Sequence, residues 1–238
     1  SFKSLDSLFE FSLVEFRKFS ILLKDFLFCN NERIVISIGN KITSIASHLI
    51  PCKNKNLYSS IIFISNLIKT IDFSDFEQFT NLRKIQFHNC QIGTMRQSRF
   101  SSPPQVQRIY FLMTEIDRIE PKTFHGLDQL DDFSIQMSKI SSIESYFLYN
   151  QKNLLQIELR ENKIDLIKEK AFYYLKSVNS ITFISNYGIM KFESNAFSNL
   201  PQLTYLSINK NEQIILSPYT IANLSSLDSI VMDNNLIE

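Results

Sequence analysis

The sequence predicts an α/β solenoid. The expected form is a right-handed superhelix, curved like a horseshoe, with a parallel β-sheet on its concave face and short irregular or helical segments on its convex face. Three observations predict it. Apolar residues return at a near-constant interval of 24 positions. Two of the recurring columns sit two residues apart, as side chains on one face of a strand do. A third column is filled by small polar or thiol side chains. Such self-similarity marks coils that cannot bury an apolar face alone and bury it by stacking.

The unit is clearest from Leu154 to Ile164, where Leu154, Ile157, Leu159, Asn162 and Ile164 give the form L-x-x-L-x-L-x-x-N-x-L. Equivalent starts are Tyr58, Leu82, Val106, Leu130, Val178, Leu203 (after one extra residue) and Leu227. The fourth position holds Ile61, Ile85, Ile109, Phe133, Ile157, Ile181, Leu206 and Ile230. The sixth holds Phe63, Phe87, Phe111, Ile135, Leu159, Phe183, Ile208 and Met232. Both columns should point into the solenoid. The ninth position holds Asn66, Cys90, Thr114, Ser138, Asn162, Asn186, Asn211 and Asn235. A buried turn leaves backbone groups in need of partners there, and each of these side chains can supply one.

A further column follows eighteen residues after each start: Phe76, Phe100, Phe124, Leu148, Phe172, Phe197 and Ile221. Three residues on come Phe79, Pro103, Leu127, Leu175, Leu200 and Leu224. The repeat after Leu130 has Gln151 at that place and Phe147 one step early, which predicts a local loop irregularity.

The pattern resembles the leucine-rich repeats, in particular the typical 24-residue extracellular class of Toll-like receptors, Slit-type guidance proteins, chaoptin-like adhesion proteins and glycoprotein-hormone-receptor ectodomains. That class carries F-x-x-L before the next start, as Phe124-His125-Gly126-Leu127 and Phe197-Ser198-Asn199-Leu200 do here. The resemblance runs from about Ile34 onward. It divides the chain into a flank at 1–28, a cap-like segment at 29–57, and the repeats at 58–238. The cap-like segment, from Cys29 through Ile42-Thr43-Ser44-Ile45 to Leu49-Ile50-Pro51, is similar to the family's N-terminal cysteine cap. Ser37 stands where a second cysteine belongs, and Ala46 replaces a proline. The resemblance therefore implies a substitute pairing of Cys29 with Cys52, worth about 3 kcal/mol; two free thiols in a reducing compartment are the alternative. Leu5, Leu8, Phe9, Phe16, Phe19 and Leu23 in the flank fit an amphipathic helix, compatible with a helical cap, a degraded secretion signal or mistranslated flank.

Composition narrows function. The 25 Lys and Arg against 24 Asp and Glu give no reason to expect nucleic acid as a partner. No apolar run is long enough to span a bilayer, so membrane anchoring would require a segment outside this chain. His48, His88 and His125 have no metal-ligand spacing, and neighbouring Asp131 and Asp132 should diverge on a strand. With no nucleophile motif and no phosphate loop, neither an enzyme nor a cofactor is expected. The sequon Asn223-Leu224-Ser225 agrees with glycosylation and secretion.

Positions five and seven should face solvent on the concave sheet. They bring together His88, Tyr110, Leu112 and Gln136 as a binding centre, with Glu158 and Arg160 at its margin. Arg83, Lys84, His88 and Arg108 should make the second and third repeats basic. Eight strands spaced about 4.8 Å apart give a face roughly 35–40 Å long, enough for an interface of about 800 Å² per partner. The resemblance implies a receptor or adhesion ectodomain at the cell surface that holds a protein ligand. A secreted matrix protein or an intracellular scaffold or inhibitor is the alternative. Oligomeric state stays open.

Overall fold

The structure, a computed structural model, describes residues 26–29, 32–37, 41–44, 54–221 and 224–238. Alternating bulky residues at positions four and six give each coil one apolar strand face. Parallel stacking buries that face against its neighbours. The strands Ser60–Ile64, Lys84–His88, Arg108–Leu112, Asp132–Gln136, Gln156–Arg160, Ser180–Ile184, Tyr205–Asn209 and Ser229–Val231 pair in that order, all parallel. Equivalent residues lie opposite one another: Ile85 pairs with Ile61 on one side and Ile109 on the other. Arg33–Ser37 extends the sheet in parallel, and Phe26–Cys29 closes it antiparallel, making ten strands.

The inner columns form the core. From Ile61 to Leu206, and from Phe63 to Ile208, every member is buried. Only the last strand is open, where Ile230 is 45% exposed. Phe63, Phe87 and Phe111 stack face to face, with centroids 4.9 and 5.0 Å apart. The stack tilts at the fourth coil, because its Phe occupies position four rather than six: Phe111 and Phe133 meet at 54°.

The ninth position joins each coil to both neighbours. Asn162 Nδ2 donates back to Ile135 O at 2.8 Å, while its Oδ1 accepts the Ser138 N–H at 2.9 Å. Asn186 and Asn211 repeat both bonds, and Asn235 accepts the Asn211 N–H at 2.8 Å. Asn66 donates to Ile36 O at 2.9 Å. Thr114 donates to Phe87 O, and Ser138 to Gln136 O within its own coil. Cys90 manages contacts of 3.6 and 3.4 Å to Phe63 O and His88 O. Its thiol is buried, which pushes its pKa up to about 12.

The residue before each ninth position turns the chain. Ser65, Asn89, Met113, Met137, Glu161, Ser185, Lys210 and Asn234 all have φ between 48 and 58°. This is the left-handed region, sparsely used by non-glycine residues. The corner lets the chain leave the long sheet and start a second side.

The opposite side differs from expectation. Among the described residues it holds no α-helix, only the 3-10 turns Lys55–Leu57 and Phe73–Phe76. Short strands take the helices' place. One sheet joins Lys41–Ser44, Leu67–Ile71, Gln91–Met95, Glu115–Ile119 and Lys139–Ile140; another joins Ser142–Ile143, Leu166–Ile167, Ile189–Phe192, Gln213–Leu216 and Leu236–Ile237. A three-stranded sheet joins Leu148–Tyr149, Phe172–Tyr173 and Phe197–Ser198. The physical reason is reach: extended chain advances about 3.3 Å per residue and helix about 1.5 Å. A 24-residue circuit with corners is closed by strands more readily than by helices.

The repeat after Leu130 contains no extra loop. Its two short strands hand over from the second sheet to the third, and Leu148 and Tyr149 keep register with Phe172 and Tyr173. Phe147 is buried edge-on against Phe124 and Phe133, joining the aromatic spine. Gln151 fills the leucine place, fully buried, and its Nε2 donates to Phe124 O at 2.5 Å. Its Oε1 has no partner. Two coils earlier, Pro103 is exposed and Pro104 is buried in its stead.

Two substitutions should separate these effects. Phe124 O already accepts from the Leu127 N–H at 3.2 Å, so Gln151→Leu removes a buried orphan without stranding its partner. It should raise unfolding free energy by about 1 kcal/mol. Asn162→Ala strips two side-chain bonds to the preceding coil, to Ile135 O and from the Ser138 N–H, and should lower it by roughly 2–4 kcal/mol. Urea titrations followed by circular dichroism read both, and equal or reversed signs would contradict this packing.

Candidate ligand-binding face

Positions five and seven of each strand point away from the core, so the outer surface of the long sheet is tiled by side chains 24 residues apart. Over the second to fifth coils this surface sinks into a hollow of about 310 Å³, lined by Gln86, His88, Tyr110, Phe111, Leu112, Asp132, Ser134, Gln136 and Glu158. Five of the six residues singled out from sequence thus meet there. The sixth, Arg160, is exposed beside the hollow, and its Nε lies 3.0 Å from Glu161 Oε1.

Side chains bridge the coils. The Tyr110 hydroxyl donates to the Asp132 carboxylate, and Lys84 Nζ lies 4.9 Å from the centre of the Tyr110 ring. Gln136 Nε2 donates to Ser134 Oγ at 3.0 Å and to Glu158 Oε2 at 2.9 Å. Burial first, then the bond to Asp132, raises the Tyr110 hydroxyl above the usual phenol range. Burial, followed by Arg108 and Arg33, lowers Lys84 against the opposing pull of Asp132. Asp132 and Glu158 stand in no salt bridge among the described residues, whereas Asp131 lies 3.9 Å from Arg108.

The outer face is less open than the alternation suggests. Ile62, Ile64, His88, Ser134 and Ser207 are buried, although all five occupy positions expected to face solvent. Parallel strands set equivalent residues side by side, so a small serine lies below its larger neighbours, as Ser134 does between Tyr110 and Glu158. His88 lies between Ile64 and Leu112, with its Nε2 3.2 Å from Gln86 Nε2. Burial, and then Lys84, pulls its pKa down to about 4. His88 is therefore neutral at physiological pH, and the basic character of this region rests on Arg83, Lys84 and Arg108 alone.

Asp132, Gln86 and Ser134 were not singled out from sequence. Asp132 reaches the hollow because Tyr110 leans diagonally to it, a contact displaced two residues from the in-register pair Tyr110–Ser134. His125 is half-buried, with its ring 5.3 Å from that of Tyr149. Cys52, His48 and Asn223 lie outside the described residues, and the side chain of Cys29 is likewise not described. The pairing of Cys29 with Cys52 and a glycan at Asn223 accordingly belong to no described geometry. Among the described residues no three of His, Cys, Asp and Glu form a group that could hold a metal, and no helix is long and apolar enough to cross a membrane.

The neutral His88 makes a pH signature. Between pH 6.5 and about 4 the unfolded chain takes up a proton that folded His88 refuses. Stability should thus fall as pH drops through that window, by at most about 1.4 kcal/mol per pH unit. Asp75 acts with the opposite sign. Burial, then Asp72, raises its carboxyl from 3.8 to about 6, so it favours folding as pH falls. Comparison with His88→Gln isolates the histidine: the stability of wild type relative to that variant should decline from neutral pH to about pH 4. A pH-independent difference would show that His88 protonates freely in the folded chain.

The profile of the BspA type leucine rich repeat region matches residues 52–165 and 141–238, in six copies. No curated protein matches the sequence. Among solved structures, a leucine-rich repeat protein from Eubacterium ventriosum is similar at 12% identity, covering 86% of this chain and 81% of that one, with a TM-score of 0.26. The profile match spans well over half of the sequence, and with it the chain belongs to the BspA-type leucine-rich repeat family.

Proposed function

We propose that the chain is a binding module that holds a protein ligand on the outer face of its long sheet, centred on the hollow between Tyr110 and Glu158. The observation that carries this reading is the convergence of His88, Tyr110, Leu112, Gln136 and Glu158 in one recess spanning several coils. An aromatic ring, an aliphatic side chain and two carboxylates without salt bridges supply anchors of the kind that dominate protein interfaces. Repeat folds of this kind serve generally in protein–protein interaction, and this site needs no cofactor and performs no catalysis. The finer reading is a receptor or adhesion ectodomain at the cell surface, of the extracellular 24-residue class. It is supported by the cap-like segment and by the sequon at Asn223. A secreted matrix protein would share the same face.

Tyr110→Ala and Glu158→Ala should each weaken an isolated partner by roughly 30-fold, as anchors worth about 2 kcal/mol. Arg160→Ala, outside the hollow, should change affinity by less than about threefold. Hydrogen exchange with the partner bound should protect residues 108–112, 132–136 and 156–160. Protection confined to the opposite side of the coils would overturn the assignment. Expression through a secretory route, with mass analysis of Asn223 and of the thiols of Cys29 and Cys52, tests the extracellular reading separately.

A further inference from the structure

We propose that the face built on Leu148–Tyr149, Phe172–Tyr173 and Phe197–Ser198 is a second interaction surface, and that it takes an acidic segment of a partner protein. This surface is separate from the hollow and does not depend on it. Tyr149 and Tyr173 occupy the same place in successive coils, with rings parallel within 4° and centroids 6.0 Å apart. Tyr146 stands edge-on to both, at 5.5 and 5.8 Å. Tyr174 continues the row 6.2 Å from Tyr173 and is 39% exposed. Among the described residues none of these four hydroxyls makes a hydrogen bond. The result is a rigid sheet of phenols with free donors, which orders a partner at small entropic cost to itself.

The face is cationic where it is aromatic. Lys122 Nζ lies 5.4 and 5.0 Å from the ring centres of Tyr146 and Tyr149, and Lys176 Nζ lies 4.9 Å from that of Tyr174. Neither lysine stands in a salt bridge among the described residues. Their neighbours Lys170 and Lys152 are neutralised by Glu169 and Asp128, at 3.0 and 2.8 Å. The uncompensated charge on this face is therefore positive, although the chain as a whole carries only +1. Successive carboxylates of one acidic segment could each meet an ammonium group and nearby phenol hydroxyls, one at Lys122 and another at Lys176. A single-stranded nucleic acid is disfavoured, because the rings already pack on one another and two free cations make no track for a phosphate backbone.

Two left-handed corners lie beside this surface. Lys122, Tyr146, Lys170, Asn195 and Tyr219 take the same left-handed corner in successive coils, and Asn150, Tyr174 and Asn199 share the next. Asparagine suits such a corner, and tyrosine is costly there.

The chain has nine tyrosines and no tryptophan, and four of the nine lie on this face, so tyrosine emission reads binding here while amide resonances give its place. The probe is a short peptide of alternating Glu and Leu, titrated into the whole chain, with a Gln-and-Leu peptide and oligothymidylate as comparisons. The acidic peptide should change the emission saturably and shift amide resonances at residues 122–126, 146–150 and 170–176. Lys122→Gln with Lys176→Gln should weaken it about tenfold, with an unchanged thermal melt. Tyr110→Ala should leave it unchanged, which separates this surface from the hollow. Three results would each overturn the proposal: binding of the acidic peptide weaker than about 1 mM, equal binding of the uncharged peptide or of the lysine double variant, or tighter binding of oligothymidylate.

Discussion

Backbone satisfaction at the inner turn sets the period of this molecule. Each coil leaves the long sheet through a left-handed corner, and the buried groups beyond that corner have no partner within their own turn. The ninth-position side chain answers them by donating to and accepting from the coil before it, as Asn162 does with Ile135 O and the Ser138 N–H, while its own N–H bonds to Asn186 in the coil after it. That double bond requires neighbouring coils to stay in step. Once they do, the apolar columns align without further instruction, and Phe63, Phe87 and Phe111 stack as a consequence.

The same register creates the candidate site. Strand pairing holds Tyr110 beside Ser134 and Ser134 beside Glu158. A serine between two larger residues is a depression, and the diagonal reach of Tyr110 to Asp132 gives it a wall. The recess thus arises from uneven side-chain size along one row of a regular sheet. No loop and no insertion contributes.

Much of this is legible in the residues themselves. The two buried columns and the Asn-rich column are read from spacing because each is filled by one kind of side chain. The corner before the ladder is not, since Ser, Met, Glu, Lys and Asn all take it and no glycine marks it. The strands that replace the expected helices were hidden too: two-residue pieces such as Leu148–Tyr149 carry no periodicity of their own. Gln151 read as a break in the pattern, whereas its amide folds into the leucine place and keeps the coil closed. His88 read as a basic surface residue, and its burial between Ile64 and Leu112 depends on neighbours 24 residues away on either side.

The rungs are not equally strong. Cys90, Thr114 and Ser138 interrupt a run otherwise made of asparagine, and each offers fewer or weaker donors than an amide. The second sheet also gives way to the third within the fourth coil. Both weaknesses fall beneath the recess that spans Gln86 to Glu158. Weaker rungs lower the free energy needed to open the middle of the stack locally. A guest seated in the proposed recess would bridge the coils that these weaker rungs join, and would so add to the stack what their side chains do not supply.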